Sequence, residues 1–206
     1  MREKPTALLI DLDGVLRHFD PAVAAAAAAR HGLEAGAVLR TAFAWGWLRP
    51  ALTGAISHDE WMAAVATELG NAEAVAEWQQ DTGTIDAQAL AVVREFRAAG
   101  IPVVLVTNAT DRLDGALAAS GLDTEFDAVV NSSRIGYHKP SREFFASACA
   151  AAATPPARCL LLDDDDRNVR GARVAGLAAL RYSGPADLGY LRAAFGLLEV
   201  EVGEGA

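Results

Sequence analysis

The chain has 206 residues, 52% of them hydrophobic and 22% charged, which is typical of one globular domain or of one domain with an insertion. Acidic residues outnumber basic residues by 27 to 18, and the net charge is -9. This balance argues against a surface for nucleic acid or for an anionic membrane, because clustered lysine and arginine would mark either one. A divalent cation is the more natural charged partner.

The N-terminal stretch and the cysteines bear on the cellular compartment. Arg2 and Lys4 precede an apolar stretch of only a few residues, which is too short for a signal peptide, and no later run approaches the roughly 20 residues of a membrane span. Cys149 lies in a helical pattern and Cys159 opens a strand pattern, so we expect buried thiols rather than a disulfide or a metal site. These features predict a cytoplasmic protein with no membrane partner.

The first predicted element is a buried strand that ends at two carboxylates, since residues 8–16 read LLIDLDGVL. Side chains two positions apart in a strand point to the same side, so Asp11 and Asp13 would converge at the carboxyl end of the strand. Open α/β sheets bind ligands at that end. Taken alone, the stretch is equally consistent with an acidic turn after a buried strand, because Asp-Gly often forms one.

Residues 17–83 carry helical patterns and are predicted to form a small all-helical unit. The predicted helices cover 20–32, about 38–48, 57–70 and 71–78. Ser57 and Glu60 form a capping box that opens the third of them. Three tryptophans, Trp45, Trp61 and Trp78, are expected to form the core of this unit.

From Asp86 onward, helical and strand patterns alternate, which is typical of a parallel sheet covered by helices on both faces. Strands are predicted over 101–106, 127–130, 158–162 and 177–182, and helices over 86–99, up to 121, over 141–153 and over 168–175. The sheet begins before the helical unit and resumes after it. The helical unit is therefore predicted to be an insertion into an α/β domain.

Four predicted strand ends carry polar side chains. They are the pair Asp11 and Asp13, the pair Thr107 and Asn108, Lys139 in a loop, and the acidic run from Asp163 to Asp166. Each group alone could be ordinary, as a helix cap, a surface lysine or a solvated loop. Because the carboxyl ends of parallel strands meet at one edge, the four together predict a single site.

At these positions the chain resembles the haloacid dehalogenase-like hydrolase superfamily, whose four motifs occur in this order. The matching segments are Asp11-Leu12-Asp13-Gly14-Val15, Thr107-Asn108, Lys139-Pro140 after Gly136-Tyr137, and Leu162-Asp163-Asp164 with Asn168 and Ala172. The helical insertion is similar to the smaller cap type of the superfamily, and residues 53–57 resemble a cap segment of its epoxide-hydrolase-phosphatase and haloacid-dehalogenase-like branches. The resemblance implies an α/β, Rossmann-like parallel-sheet core over 1–16 and 84–206, with an all-helical cap over 17–83.

The resemblance also implies a Mg²⁺-dependent phosphomonoester hydrolase that acts on a small phosphorylated metabolite. Asp11 would attack phosphorus and form an aspartyl-phosphate, while Asp13 would protonate the leaving oxygen and later deprotonate water. Thr107 and Asn108 would hydrogen-bond the phosphoryl oxygens. A carboxylate about 4 Å from a phosphate meets about 4 kcal/mol of repulsion per charge pair at an effective dielectric near 20, so Lys139 and a metal ion would supply positive charge.

For the metal, the resemblance implies Mg²⁺ held by the side chains of Asp11 and Asp164 and by the backbone carbonyl of Asp13. Asp163 would orient the metal shell or the lysine. Many relatives have glycine before the metal aspartate and a second aspartate four positions later, where this chain has Asp163 and Asn168. Which carboxylate reaches the metal therefore stays open.

Other functions share this set of residues. A 2-haloacid dehalogenase uses the same nucleophile, but halide leaves without a proton and gives Asp13 no task. A phosphosugar mutase and a non-catalytic phospho-acceptor switch are further alternatives. In switches of the response-regulator type, however, the acid pair comes first in the chain and the accepting aspartate later, which is the opposite of the order here. Two sets of side chains near the expected mouth are candidates for substrate contact. The first is His18, Trp47, Arg49 and His138, and the second, for an anionic leaving group, is Arg17 and Arg49.

Overall fold

The computed structural model describes residues 3–197, so residues 1–2 and 198–206 of the predicted core lie outside the described residues. The strands are β1 (Ala7–Ile10), β2 (Arg17–His18), β3 (Thr84–Ile85), β4 (Val103–Thr107), β5 (Ala128–Asn131), β6 (Cys159–Asp163) and β7 (Ala178–Arg181). The helices are α1 (Pro21–Arg30), α2 (Ala37–Ala42), α3 (Trp45–Leu52), α4 (His58–Leu69), α5 (Ala72–Trp78), α6 (Ala87–Ala98), α7 (Leu113–Ser120), α8 (Ser132–Ile135), α9 (Arg142–Ala151), α10 (Asp166–Val174) and α11 (Asp187–Phe195), with a short 3-10 helix at Pro156–Arg158.

A five-stranded parallel sheet forms the centre of the described chain, in the order β5-β4-β1-β6-β7. The middle strand, β1, pairs with β4 and β6, so that Leu9 lies opposite both Val104 and Leu161. Its four residues are all buried, as expected for a parallel strand covered on both faces. The predicted α/β fold with a parallel, Rossmann-like sheet is confirmed.

Alternate residues of β1 serve two hydrophobic cores. Leu8 and Ile10 face a core that includes Phe96 of α6. Leu9 faces the opposite core, which includes Phe144 and Phe145 of α9. Since period-2 alternation sends successive side chains to opposite faces, one short strand anchors both layers of helices.

Helices α1 to α5 form a separate cluster between β2 and β3, two short strands that pair antiparallel as its stem. The capping box at Ser57 and Glu60 is present as predicted. Gly54, with a φ of +70°, packs on the α/β part so closely that a Cβ would lie 2.2 Å from the carbonyl oxygen of Ser133. Only glycine fits there, because it has no Cβ and tolerates a positive φ.

Two predictions for the helical unit were wrong. The pattern over 38–48 forms two helices, because the backbone at Ala44 is extended, and the carbonyl of Ala42 at the break accepts a hydrogen bond from the indole of Trp61 at 3.0 Å. Trp61 is buried and Trp78 packs beside it, but Trp45 is 55% exposed. Its ring contacts His138 edge-on, with the centroids 5.3 Å apart, so it does not belong to the core.

None of the helices between residues 3 and 197 combines the length and the apolar character that crossing a lipid bilayer requires.

Val104→Ala should lower the free energy of unfolding by about 2 kcal/mol, because it removes two fully buried methyl groups and leaves a cavity. The matched control is Val174→Ala on α10, where the valine is 89% exposed. That change should stay within about 0.5 kcal/mol. Urea denaturation followed by circular dichroism measures both, and equal losses would contradict the placement of Val104 in the core.

Candidate active site

Three strand ends bring polar side chains to one edge of the sheet. Asp11 directly follows β1, and its backbone N–H donates to the carbonyl of Leu162 in β6 at 3.0 Å. Asp163 is the last residue of β6, and Thr107 is the last residue of β4. Because β4, β1 and β6 are parallel neighbours, these residues share the carboxyl edge, where open α/β sheets bind ligands.

Lys139 reaches this edge from the loop between α8 and α9. Its ammonium nitrogen lies 2.8 Å from Oδ1 of Asp11 and 2.7 Å from Oδ2 of Asp163. The lysine side chain is only 1% exposed. A buried charge of this kind needs paired partners, and the two carboxylates provide them.

A third carboxylate completes the cluster. One carboxylate oxygen from each of Asp11, Asp163 and Asp164 lies within 4.8 Å of the others. Oδ1 of Asp163 also accepts hydrogen bonds from the backbone N–H of Asp165, at 2.9 Å, and from the side-chain amide of Asn168, at 3.0 Å. Asp163 is therefore held from several sides, whereas Asp164 is half-buried.

Gly14 lies directly against Asp164. Its φ is +88°, and a Cβ at this position would lie 2.2 Å from Oδ2 of Asp164. A residue with a side chain would collide with that carboxylate and would strain the backbone. The glycine after Asp13 therefore lets the loop that follows β1 approach Asp164.

Burial dominates the electrostatics of the cluster. It raises the pKa of Asp11 to about 7, which the ammonium of Lys139 opposes and the charge of Asp163 reinforces. Burial and the charge of Asp163 also raise the pKa of Asp164. For Lys139, burial favours the neutral form, but the charges of Asp11 and Asp163 outweigh it and raise the lysine pKa. Three carboxylates face one ammonium, so the cluster attracts a further cation.

The carboxylate of Asp13 is bound by Arg17. The guanidinium binds both carboxylate oxygens, with Nε 2.6 Å from Oδ1 and Nη2 3.1 Å from Oδ2. Sequence reasoning missed this pair. The spacing of four is a signal for ion pairing only on a helix, and here a tight loop closed by the Gly14 N–H on the Arg17 carbonyl brings the two together.

Asn108 directs its amide group to the main chain of Lys139. Its Nδ2 donates to the Lys139 carbonyl at 3.0 Å, and its Oδ1 accepts from the Lys139 N–H at 2.7 Å. Thr107 is buried at the end of β4, the strand that pairs with β1. The structure thus brings Thr107 to the edge, while the side chain of Asn108 positions the lysine loop.

A cleft of about 750 Å³ separates the helical unit from the α/β part, and Asp13, Arg17 and Asn108 lie on its wall. None of the four side chains considered for substrate contact, all within the described part of the chain, lines it: they are His18, Trp47, Arg49 and His138. Asp165 caps α10 and Asp166, in its first turn, pairs with Arg170 at 3.1 Å, so neither belongs to the cluster.

Comparison with known proteins identifies the family. The family model of haloacid dehalogenase-like hydrolases matches residues 5–176. No curated protein matches the sequence significantly.

Solved structures share the fold at low sequence identity. A haloacid dehalogenase-like family hydrolase from Porphyromonas gingivalis has a TM-score of 0.75 at 20% identity, over 92% of this chain and 99% of that one. A family enzyme from Bacteroides thetaiotaomicron, crystallised with magnesium and inorganic phosphate, has a TM-score of 0.75 at 20% identity, over 91% and 98%. The L-2-haloacid dehalogenase from Xanthobacter autotrophicus has a TM-score of 0.64 at 23% identity, over 91% and 82%. With the family model covering most of its length, the chain belongs to the haloacid dehalogenase-like hydrolases.

Proposed function

We propose that this hydrolase is a Mg²⁺-dependent phosphomonoester phosphatase that acts through an aspartyl-phosphate on a small phosphorylated metabolite. The observation that carries the proposal is the cluster of Asp11, Lys139, Asp163 and Asp164, together with Asp13 on the wall of a cleft. The magnesium and phosphate bound by the enzyme from Bacteroides thetaiotaomicron support the same chemistry. As part of the proposal we place the protein in the cytoplasm, where its two free buried cysteines stay reduced.

The donor set suits magnesium. Carboxylate oxygens are the ligands that Mg²⁺ prefers, and one lysine leaves the three carboxylates in excess. Asp11 and Asp164 by side chain, and Asp13 by backbone carbonyl, would hold the ion, which when bound would neutralise charge on the phosphoryl group. Asp163 keeps the positioning role, because Lys139, Asn168 and a backbone N–H already occupy its oxygens.

Asp11 is the proposed nucleophile. Its Oδ1 accepts a hydrogen bond from the Leu12 N–H at 2.7 Å and is paired with Lys139, which fixes the carboxylate. Attack by the other oxygen would form the bond to phosphorus while the bond from phosphorus to the alcohol oxygen breaks. Thr107 and the backbone after it are the proposed donors to the phosphoryl oxygens.

Asp13 is the proposed acid and base. It would give a proton to the departing alcohol oxygen and then take one from the water that cleaves the aspartyl-phosphate, which releases phosphate and restores Asp11. Since Arg17 binds both of its oxygens, this role requires Asp13 to leave that pair when substrate is bound. A 2-haloacid dehalogenase would have no use for Asp13, because halide departs without a proton.

Asp11→Asn should lower phosphate release by at least about a thousandfold, because the amide cannot form the covalent intermediate. A screen of sugar phosphates, nucleotides and an aryl phosphate, with Mg²⁺ or with a chelator, measures the activity, and the chelator should abolish it. Asp166→Asn is the matched control, since Asp166 is exposed on α10. Full activity of Asp11→Asn would exclude the covalent mechanism, and turnover of 2-haloacids alone would replace the phosphatase by a dehalogenase.

Asp13→Asn should separate the two half-reactions. An alkyl phosphate needs its leaving oxygen protonated, so its turnover should fall by about a hundredfold or more. With 4-nitrophenyl phosphate, whose leaving group needs no proton, the first step should persist and the hydrolysis step should not. Stopped-flow absorbance should then show a burst of one nitrophenol per enzyme. If the variant loses activity equally toward both esters and shows no burst, Asp13 is not the acid and base.

Asn108→Ala should act through Lys139. Removing the amide leaves the N–H and the carbonyl of Lys139 without their partner, so the free energy of unfolding should fall by about 2 kcal/mol. The rate constant kcat should fall while KM changes little. Asn71→Ala removes the cap of α5 and should cost about 1 kcal/mol of stability with activity retained, which makes it the control for folding losses. A raised KM with unchanged kcat would instead place Asn108 on the substrate.

A further inference from the structure

We infer that the alcohol released at this site has an apolar, ring-containing body and is not a sugar. The inference rests on the proposed phosphatase function and concerns the part of the substrate that occupies the cleft. The cleft of about 750 Å³ falls within the range of small-molecule sites. Because the proposed proton donor to the leaving oxygen, Asp13, lies on its wall, the leaving group is the part that enters it.

Aromatic side chains form the wall that the helical unit contributes. The ring of Phe43 packs against the rings of Trp61 and Trp78, with centroid distances of 6.5 and 6.2 Å. All three line the cleft, and Phe43 is still 53% exposed. A large ring packed on one side and open on the other presents an apolar face that a ligand can cover.

The wall of the α/β part matches it. Leu113 and Ala116 of α7 line the cleft on that side, and Phe19 lies next to the stem with 44% of its surface exposed. The guanidinium of Arg17 lies 4.9 Å from the centre of the Phe19 ring. A flat apolar body placed between these walls would remove both exposed rings from water.

Several polar side chains of the cleft, those of His58, Arg17 and Asn108, already have partners within the protein. His58 lies 3.2 Å from the hydroxyl of Thr110 and 3.1 Å from the amide oxygen of Gln79. Arg17 is bound to Asp13, and Asn108 is bound to the main chain of Lys139. The hydroxyls of a sugar would have to break these contacts or lose their own hydrogen bonds to water, and both are costly.

Charge on the walls argues against a second anionic group on the substrate. The two arginines that line the cleft are paired, Arg17 with Asp13 and Arg112 with Asp59. Asp20 and Asp81 also line it and would repel a further phosphate or carboxylate. Arg17, a candidate contact for an anionic leaving group, is bound by both oxygens of Asp13 in this structure.

The test compares two phosphate esters of primary alcohols, so that the leaving groups differ in polarity and not in type. They are 2-phenylethyl phosphate and glucose 6-phosphate, assayed for phosphate release with Mg²⁺. We expect kcat/KM to be at least about tenfold higher for the phenyl ester, as one well-buried ring would give. Equal values, or a preference for the sugar phosphate, would overturn the inference and leave the phosphatase function standing.

Variants then locate the preference in the cleft. Phe43→Ala should lower kcat/KM for the phenyl ester by about tenfold and leave glucose 6-phosphate unchanged, while Phe43→Leu, which keeps an apolar side chain, should retain most of the preference. Tyr190→Ala is the control, because Tyr190 is an exposed aromatic residue that does not line the cleft. A preference that survives Phe43→Ala in the folded variant would place recognition elsewhere and overturn the inference.

A binding measurement separates this inference from the proposed function. If neither ester is hydrolysed, the phosphatase function fails, and binding of 2-phenylethylphosphonate is compared with that of glucose 6-phosphate. Tryptophan fluorescence reports it, because Trp61 and Trp78 line the cleft. If the phosphonate binds at least about tenfold more tightly than glucose 6-phosphate, the inference of an apolar site is supported. Equal or weaker binding of the phosphonate would overturn it.

Discussion

Lys139 is the residue on which the geometry of the site depends. Its ammonium is removed from water and pairs with Asp11 and Asp163, at 2.8 and 2.7 Å. Burying such ions costs several kcal/mol each, and their attraction offsets this cost only when their positions are fixed. The neighbours fix them: the amide of Asn108 binds the main chain of the lysine, and the amide of Asn168 binds Asp163. Without the ammonium, the carboxylates would repel one another.

The sequence carries enough information to place most of this arrangement. Short apolar runs such as residues 7–10 predict buried strands, and strands that alternate with helical patterns predict a parallel sheet, as the structure has them. Once the sheet is parallel, the polar residues that end the runs share one edge. Helix starts were equally readable at Ser57, Asn71 and Ser141, because each side chain accepts a hydrogen bond from a backbone N–H of the first turn.

Features that depend on tertiary contacts could not be read in the same way. The break between α2 and α3 has no glycine or proline at Phe43 or Ala44, and the indole of Trp61, distant in sequence, binds the carbonyl at the break. Trp45 fits a helical core pattern but turns outward to His138. The roles of Arg17 and Asn108 rest on loop geometry, which composition and spacing do not encode. Strands β2 and β3 have two residues each, too few for a periodic pattern.

Arg17 belongs to two parts of the molecule at once. Its backbone pairs with Ile85 in the stem of the helical unit, and its guanidinium holds the carboxylate of Asp13. A rotation of the helices about this stem would move the guanidinium and change its contact with the carboxylate of Asp13. Through Arg17, the position of the helical unit is therefore linked to the freedom of the Asp13 carboxylate.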